Sequence, residues 1–122
     1  MTTAHDTSPF TRHVDRWVRL FNAGDAAALD RLYEDDGLLV PVPGHPATGP
    51  GRLAANGHLI GLGATMTASL RHAYATGDLA LIVVDWSVTA TGLALSGVAT
   101  DVLRRGDDGA WRLVIDNPSG TS

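Results

Sequence analysis

The chain has 122 residues, a formal net charge of −4, 44% hydrophobic and 18% charged residues, and no cysteine. That length and apolar content suit one domain with a real core and exclude disorder, while the missing thiols exclude disulfides, thiolate metal sites and thiol nucleophiles. All nine basic residues are arginine, which excludes lysine Schiff-base chemistry and the phosphate-loop lysine, and a pI near 5.6 argues against a nucleic-acid partner.

Met1 to Thr7 has no basic region followed by an apolar core, and no apolar run approaches the ~20 residues of a membrane helix. The expectation is a cytoplasmic protein with no membrane contact: a disordered start over residues 1–8, which holds His5, one domain over 9–119, and a tail over 120–122. Ser8-Pro9 reads as a helix N-cap with proline at the first helical position. Phe10, Val14, Trp17 and Phe21, spaced four, three and four apart, give the helix one apolar face, which His13 borders. Asn22-Ala23-Gly24 ends this helix, and Asp25 caps a second one running to about Tyr33, with Leu29, Leu32 and Tyr33 on its buried side.

Glu34-Asp35-Asp36-Gly37 reads as a polar break before the short strand Leu38-Leu39-Val40, which Pro41, Pro43, Pro46, Gly44 and Gly49 stop. A third helix is expected from Arg52 to about Gly63, where Gly57, Gly61 and Gly63 mark either close packing or a flap. From Thr65 the apolar period becomes two. Met66, Ala68, Leu70, His72 and Tyr74 share one parity, and Gly77-Asp78 turns into a strand from Leu79 to about Ala90. Thr91-Gly92 turns into Leu93 to Arg105, and Gly106-Asp107-Asp108-Gly109 into Trp111 to Ile115. The class is α+β: three N-terminal helices packed on a curved, mainly antiparallel sheet.

Leu79 to Val84 is apolar on both parities, so both faces of that strand need cover. Three helices cover one face, which leaves the other for a second copy of the chain, a homodimer through the outer sheet face. If Trp86 faces inward, so do Ala80, Ile82, Val84 and Val88, with Asp85 outward. On the next strand, alternation leaves open which of the two sets faces in; Asp101 between Ala99 and Leu103 points to an acid on the apolar side.

Val14-Asp15-Arg16-Trp17-Val18 and Phe21-Asn22-Ala23-Gly24-Asp25 resemble the opening of nuclear transport factor 2-like domains. The later Gly77-Asp78-Leu79-Ala80, Arg104-Arg105 and Gly109-Ala110-Trp111-Arg112-Leu113-Val114 are similar to the same group's small bacterial members, which include ketosteroid isomerases and SnoaL-like polyketide cyclases. The resemblance runs from about Pro9 to Ser119. It implies a cone of curved sheet around three helices, an apolar pocket, and association through the sheet. Ketosteroid isomerase uses a carboxylate base and an oxyanion hole made of a tyrosine and a protonated aspartic acid. In a gap-free register the tyrosine position falls on Trp17 and the base position on Pro41, which cannot take a proton. Asp101 is the counterpart of the protonated aspartic acid. Steroid isomerisation by that mechanism is therefore rejected.

Within such a pocket Asp101 is the candidate acid or oxyanion donor, since desolvation raises a carboxyl pKa. His72, on the parity of Met66 and Leu70, is the candidate general base, with Tyr74 its alternative structural partner. Trp17, Phe21, Tyr33, Val40, Leu62, Met66 and Trp86 are the candidate ligand-lining residues, and His58 joins them from the glycine-rich segment. His45 lies near the rim, and His5 and His13 receive no role. Asp116-Asn117-Pro118 reads as the cap of the last strand. No nucleotide fingerprint, metal-spaced histidine pair or nucleophile elbow is present, and no cofactor is expected. Two functions follow: cofactor-free acid–base isomerisation, cyclisation or dehydration of a hydrophobic carbonyl or polyketide-like compound, or non-catalytic ligand binding or dimerisation. Asp101 favours the first and Pro41 the second.

Overall fold

The computed structural model describes residues 6–121, and His5 lies outside them. Helix α1 (Ser8–Asn22) buries Phe10, Val14 and Phe21, as their spacing requires. Its N-cap is Thr7 rather than Ser8, so Pro9 sits at the second helical position; the carboxylate of Asp6 accepts from the Ser8 N–H at 2.9 Å instead. Asn22 closes the helix against the sheet, donating from Nδ2 to the Met66 carbonyl at 3.0 Å while its Oδ1 accepts from the Met66 N–H at 2.8 Å.

Asp25 caps α2 (Ala26–Asp30) by accepting from the Ala28 N–H at 3.0 Å. The helix stops after five residues instead of running to Tyr33. Sheet pairing ends it: the Leu113 N–H donates to the Leu32 carbonyl at 2.8 Å, and Tyr33 already sits opposite Leu113 in strand β1 (Tyr33–Val42). The polar stretch Glu34 to Gly37, expected as a break, is absorbed into β1 as a register irregularity between Tyr33 and Leu38. Gly37 is needed there, because a Cβ would lie 2.7 Å from the Leu113 carbonyl oxygen and 2.8 Å from that of Glu34. The proline loop turns back as a short strand, β2 (His45–Ala47), and leads into α3 (Gly49–Gly61), three residues earlier than expected. Space is open where a Cβ would stand at Gly57, Gly61 and Gly63, so these glycines are not close-packing sites.

Strands β3 (Thr65–Thr76), β4 (Leu79–Ala90) and β5 (Leu93–Arg105) form the expected meander, and β6 (Trp111–Asn117) continues two residues beyond Ile115. The sheet order is β2-β1-β6-β5-β4-β3, antiparallel except between β1 and β6. Besides the irregularities of β1, one extra residue interrupts each of two ladders: Arg71 in β3, opposite β4, and Val114 in β6, opposite β5. Such bulges bend and twist a strand, curving the sheet around the helices.

The inner face carries Ala80, Ile82, Val84 and Val88 of β4 with Ala99 and Leu103 of β5, packed against Phe10 and Val14 or against Phe21 and Leu29. On the outer face Arg71 pairs with Asp85, while Leu79 and Leu81 stay 44% and 41% exposed. Among the described residues no helix is long and apolar enough to cross a membrane.

Candidate functional site

Between α1, α3 and the inner face lies a cavity of about 100 Å³ whose wall is mostly apolar. Trp17 and Phe21 reach it from α1, Met66 from β3 and Trp86 from β4. A wider cleft of about 1000 Å³ shares Leu39, Asn56, Leu59, Trp86 and Pro118 with the cavity and runs between α3 and the chain end. The Trp86 indole N–H donates to the Pro118 carbonyl at 2.9 Å and so fixes the ring where the two spaces meet. Gly97, opposite Trp86, leaves room for it: a Cβ there would stand 3.0 Å from the indole.

The polar part of the wall is a pair of acids. Asp101 and Asp116 are cross-strand partners on β5 and β6, 8% and 6% exposed. Burial is the main cause raising both carboxyl pKa values above the ordinary range. For Asp101 the neighbouring Asp116 charge and the hydrogen bond between them push the value further up, well above 3.8. For Asp116 the same bond, together with one from Tyr33, works against the rise. Both shifts favour the protonated form, most strongly at Asp101. Asp101 Oδ1 accepts from the Asn117 N–H at 3.0 Å.

Tyr33 lies behind the acids, its hydroxyl donating to Asp116 Oδ2 at 2.6 Å and accepting from Asn56 Nδ2 at 3.1 Å. Burial first, then the Asp116 charge, raises its pKa well above 10.0, so the phenol stays a donor. Arg52, on the same face of α3 as Asn56, holds Tyr33 from the far side with its guanidinium 4.6 Å from the ring centre. It also binds both carboxylate oxygens of Asp30, at 2.8 and 3.1 Å, and the carbonyls of Glu34 and Gly37, at 3.0 and 2.8 Å. His13, 8% exposed, completes the polar wall. Burial, and then the charge of Arg16, lower its pKa to about 4, so it is neutral at pH 7.

Of the residues singled out from the sequence, Asp101, Trp17, Phe21, Met66 and Trp86 meet in this cavity. His58 is exposed and lines only the wider cleft. Tyr33 is buried but stands one layer behind the wall. His72 does not face the cavity. The extra residue Arg71 places two successive side chains outside, so Ala73 turns inward and His72 is exposed, stacked on Tyr74 with ring centres 5.9 Å apart. Val40 is displaced by alternation, since Leu39 takes the inward position. Leu62 is 50% exposed at the C-cap of α3, and Leu59, a turn earlier, lines the cavity in its place. Pro41 borders the wider cleft only.

Asp116, His13, Asn56 and Arg52 were not singled out. His13 stands four residues before Trp17 and eight before Phe21, a spacing that places it on the cavity stripe of α1. Arg52 and Asn56 are likewise four apart. Asp116 has no such signal: counted from Leu113 it would point outward, and the extra residue Val114 turns it in.

A model of the SnoaL-like domain family matches residues 14–114. The chain belongs to that family. The fold of this SnoaL-like domain is also that of nuclear transport factor 2-like proteins. A protein of that kind with a cystatin-like fold, from Novosphingobium aromaticivorans, is 24% identical with a TM-score of 0.73, over 96% of this chain and 82% of that one. One of unknown function from Shewanella oneidensis is 19% identical with a TM-score of 0.78, over 90% and 95%. A ketosteroid isomerase-like protein from Erwinia carotovora atroseptica is 22% identical with a TM-score of 0.71, over 98% and 99%. These likenesses show the α+β cone fold expected from the sequence. No curated protein matches the chain.

Proposed function

We propose that this SnoaL-like domain is a cofactor-independent acid–base catalyst that isomerises, cyclises or dehydrates a small hydrophobic carbonyl compound in the cavity. One observation carries the reading: two buried carboxyls, Asp101 and Asp116, stand opposite each other across β5 and β6 in a mostly apolar wall, and the Tyr33 hydroxyl donates to Asp116. Pairs whose environments drive their pKa values apart divide naturally into acid and base. Asp101 would give its proton to the carbonyl oxygen, while ionised Asp116, held by the Tyr33 hydroxyl, takes the proton from the neighbouring carbon. With a β,γ-unsaturated ketone the product of that exchange is a dienol; Asp116 then returns its proton to the γ carbon while Asp101 takes back the hydroxyl proton, which completes an isomerisation. Asp116 would thus do from β6 what no carboxylate does at Pro41. Exclusion of water by Trp17, Phe21 and Trp86 strengthens each of these interactions.

Asp101→Asn keeps the amide-oxygen bond to Asn117 and a donor toward Asp116, but has no proton to transfer. Turnover of a substrate found by thermal-shift screening of hydrophobic ketones should fall ~100-fold or more in Asp101→Asn and in Asp116→Asn, with the fold intact. Unchanged turnover in both variants refutes the reading.

We also propose that two copies associate through the outer sheet face. Tyr74, Leu81, Val102 and Ile115 stand opposite one another across β3, β4, β5 and β6, and Leu38 of β1 extends the row. No described helix packs over this row, and a two-fold axis would set it against itself.

A further inference from the structure

Asn56, Asp101 and Asp116 each hydrogen-bond within the polar wall, but His13 does not. Among the described residues it has no hydrogen bond, ion pair or ring contact. No buried side-chain nitrogen or oxygen is both sealed from solvent-sized space and unpartnered, so the imidazole nitrogens border open volume. His13 stands where the cavity wall is thin, with an outer groove rimmed by Arg12, Arg16 and Arg19 behind it. Nor does it join the acid pair: among the described residues no three of His, Asp, Glu or Cys converge closely enough to hold a metal ion, and neither carboxyl bonds to it. The cavity lining thus holds, beside the hydrogen-bonded Asn56, Asp101 and Asp116, an imidazole on α1 with no partner in the described chain.

An imidazole among Trp17, Phe21, Val14 and Met66 gives up the packing that a phenylalanine would supply, while its nitrogens stay open to a partner that enters the cavity. Such groups persist where a ligand completes them. We propose that His13 is a specificity-determining residue that hydrogen-bonds a second oxygen of the ligand, so that the substrate is a small apolar carbonyl compound bearing a further hydroxyl or keto group remote from the reacting carbonyl. The inference rests on the acid–base reading of the cavity and adds the substrate's second functional group. A neutral imidazole offers one N–H donor and one bare nitrogen acceptor, which suits a hydroxyl in either direction.

The test is a binding comparison between 1-tetralone and 6-hydroxy-1-tetralone by titration calorimetry on wild type, His13→Phe, His13→Gln and Asp101→Asn. Wild type should prefer the hydroxyketone about tenfold, because a site built for a hydroxyl discriminates against its absence. His13→Phe should reduce that preference to about twofold or less while leaving 1-tetralone affinity in place, and His13→Gln should retain part of it. Asp101→Asn should weaken both ketones alike. A preference that survives His13→Phe and His13→Gln, or its absence in wild type, overturns the inference while the acid–base reading stands. Failure of both ketones to bind wild type at millimolar concentration overturns both.

Discussion

Asp101 and Asp116 meet across neighbouring strands in a place where two charges are costly and two protons leave Tyr33 without an ionised acceptor. This has a measurable sign. The folded pKa of Asp101 is raised, so the native state keeps a proton that the unfolded chain releases near 3.8. Its contribution to stability is complete below that pH and is lost as pH rises through the folded value. His13 has the opposite sign: its folded pKa is about 4 against an ordinary 6.5, so its contribution is present above 6.5 and is lost as pH falls toward 4. The difference corresponds to about 3 kcal/mol at most. Urea unfolding between pH 4 and 9 should therefore show two changes. Asp101→Asn should gain on wild type as pH rises, and His13→Phe should gain on it as pH falls below 6.5. Parallel curves for wild type and variants would contradict both shifts. At this scale the sequence was half legible. Asp101 stood out between Ala99 and Leu103, whereas Asp116 was hidden by a parity count that fails at Val114.

At the scale of elements, Arg52 fastens α3 to the end of α2 and the start of β1. Arg52, 4% exposed, joins Asp30, the first carbonyls of β1 and the Tyr33 ring. Arg52→Met should cost about 2–3 kcal/mol in denaturant unfolding, the low end for a broken buried pair because Asp30 is partly solvated. Arg52→Lys should recover little of it, since an ammonium cannot bind Asp30 through two nitrogens and stack on Tyr33 as well. A loss under 1 kcal/mol in Arg52→Met would show that α3 is held by its apolar contacts alone. Helix α1 and strands β3 to β5 were legible because period and turn glycines agree along them. Strand β1 was not: its acidic residues fall in the register irregularity between Tyr33 and Leu38, and the distant Arg52 binds the carbonyls of Glu34 and Gly37 there. The same kind of local insertion, at Arg71, sends His72 to the outside. A period of two describes a regular ladder and carries no mark of where a ladder admits an extra residue.

For the molecule as a whole, the row from Tyr74 through Leu81 and Val102 to Ile115 crosses four strands with no charged member. Sedimentation at micromolar concentration should give twice the chain mass of 12.8 kDa, and Leu81→Arg should return it to the single-chain value. A wild-type monomer would remove the proposed association. The feature was visible in the sequence as a strand apolar on both parities, although the strand does not say which chain covers it.

The order of the sheet bears on how the protein is made. Strand β6 is the last of the six described strands in chain order, yet it lies between β1 and β5 near the middle of the sheet. Until residues 111–117 leave the ribosome, β1–β2 and β3–β5 are two fragments, each with an unpaired edge of the kind that recruits other chains. Their union depends on contacts distant along the chain, which form slowly. Tyr33 and Asp101 sit one on each fragment, and Asp116 comes with the strand that joins them. The acid pair is thus completed by the same event that closes the sheet.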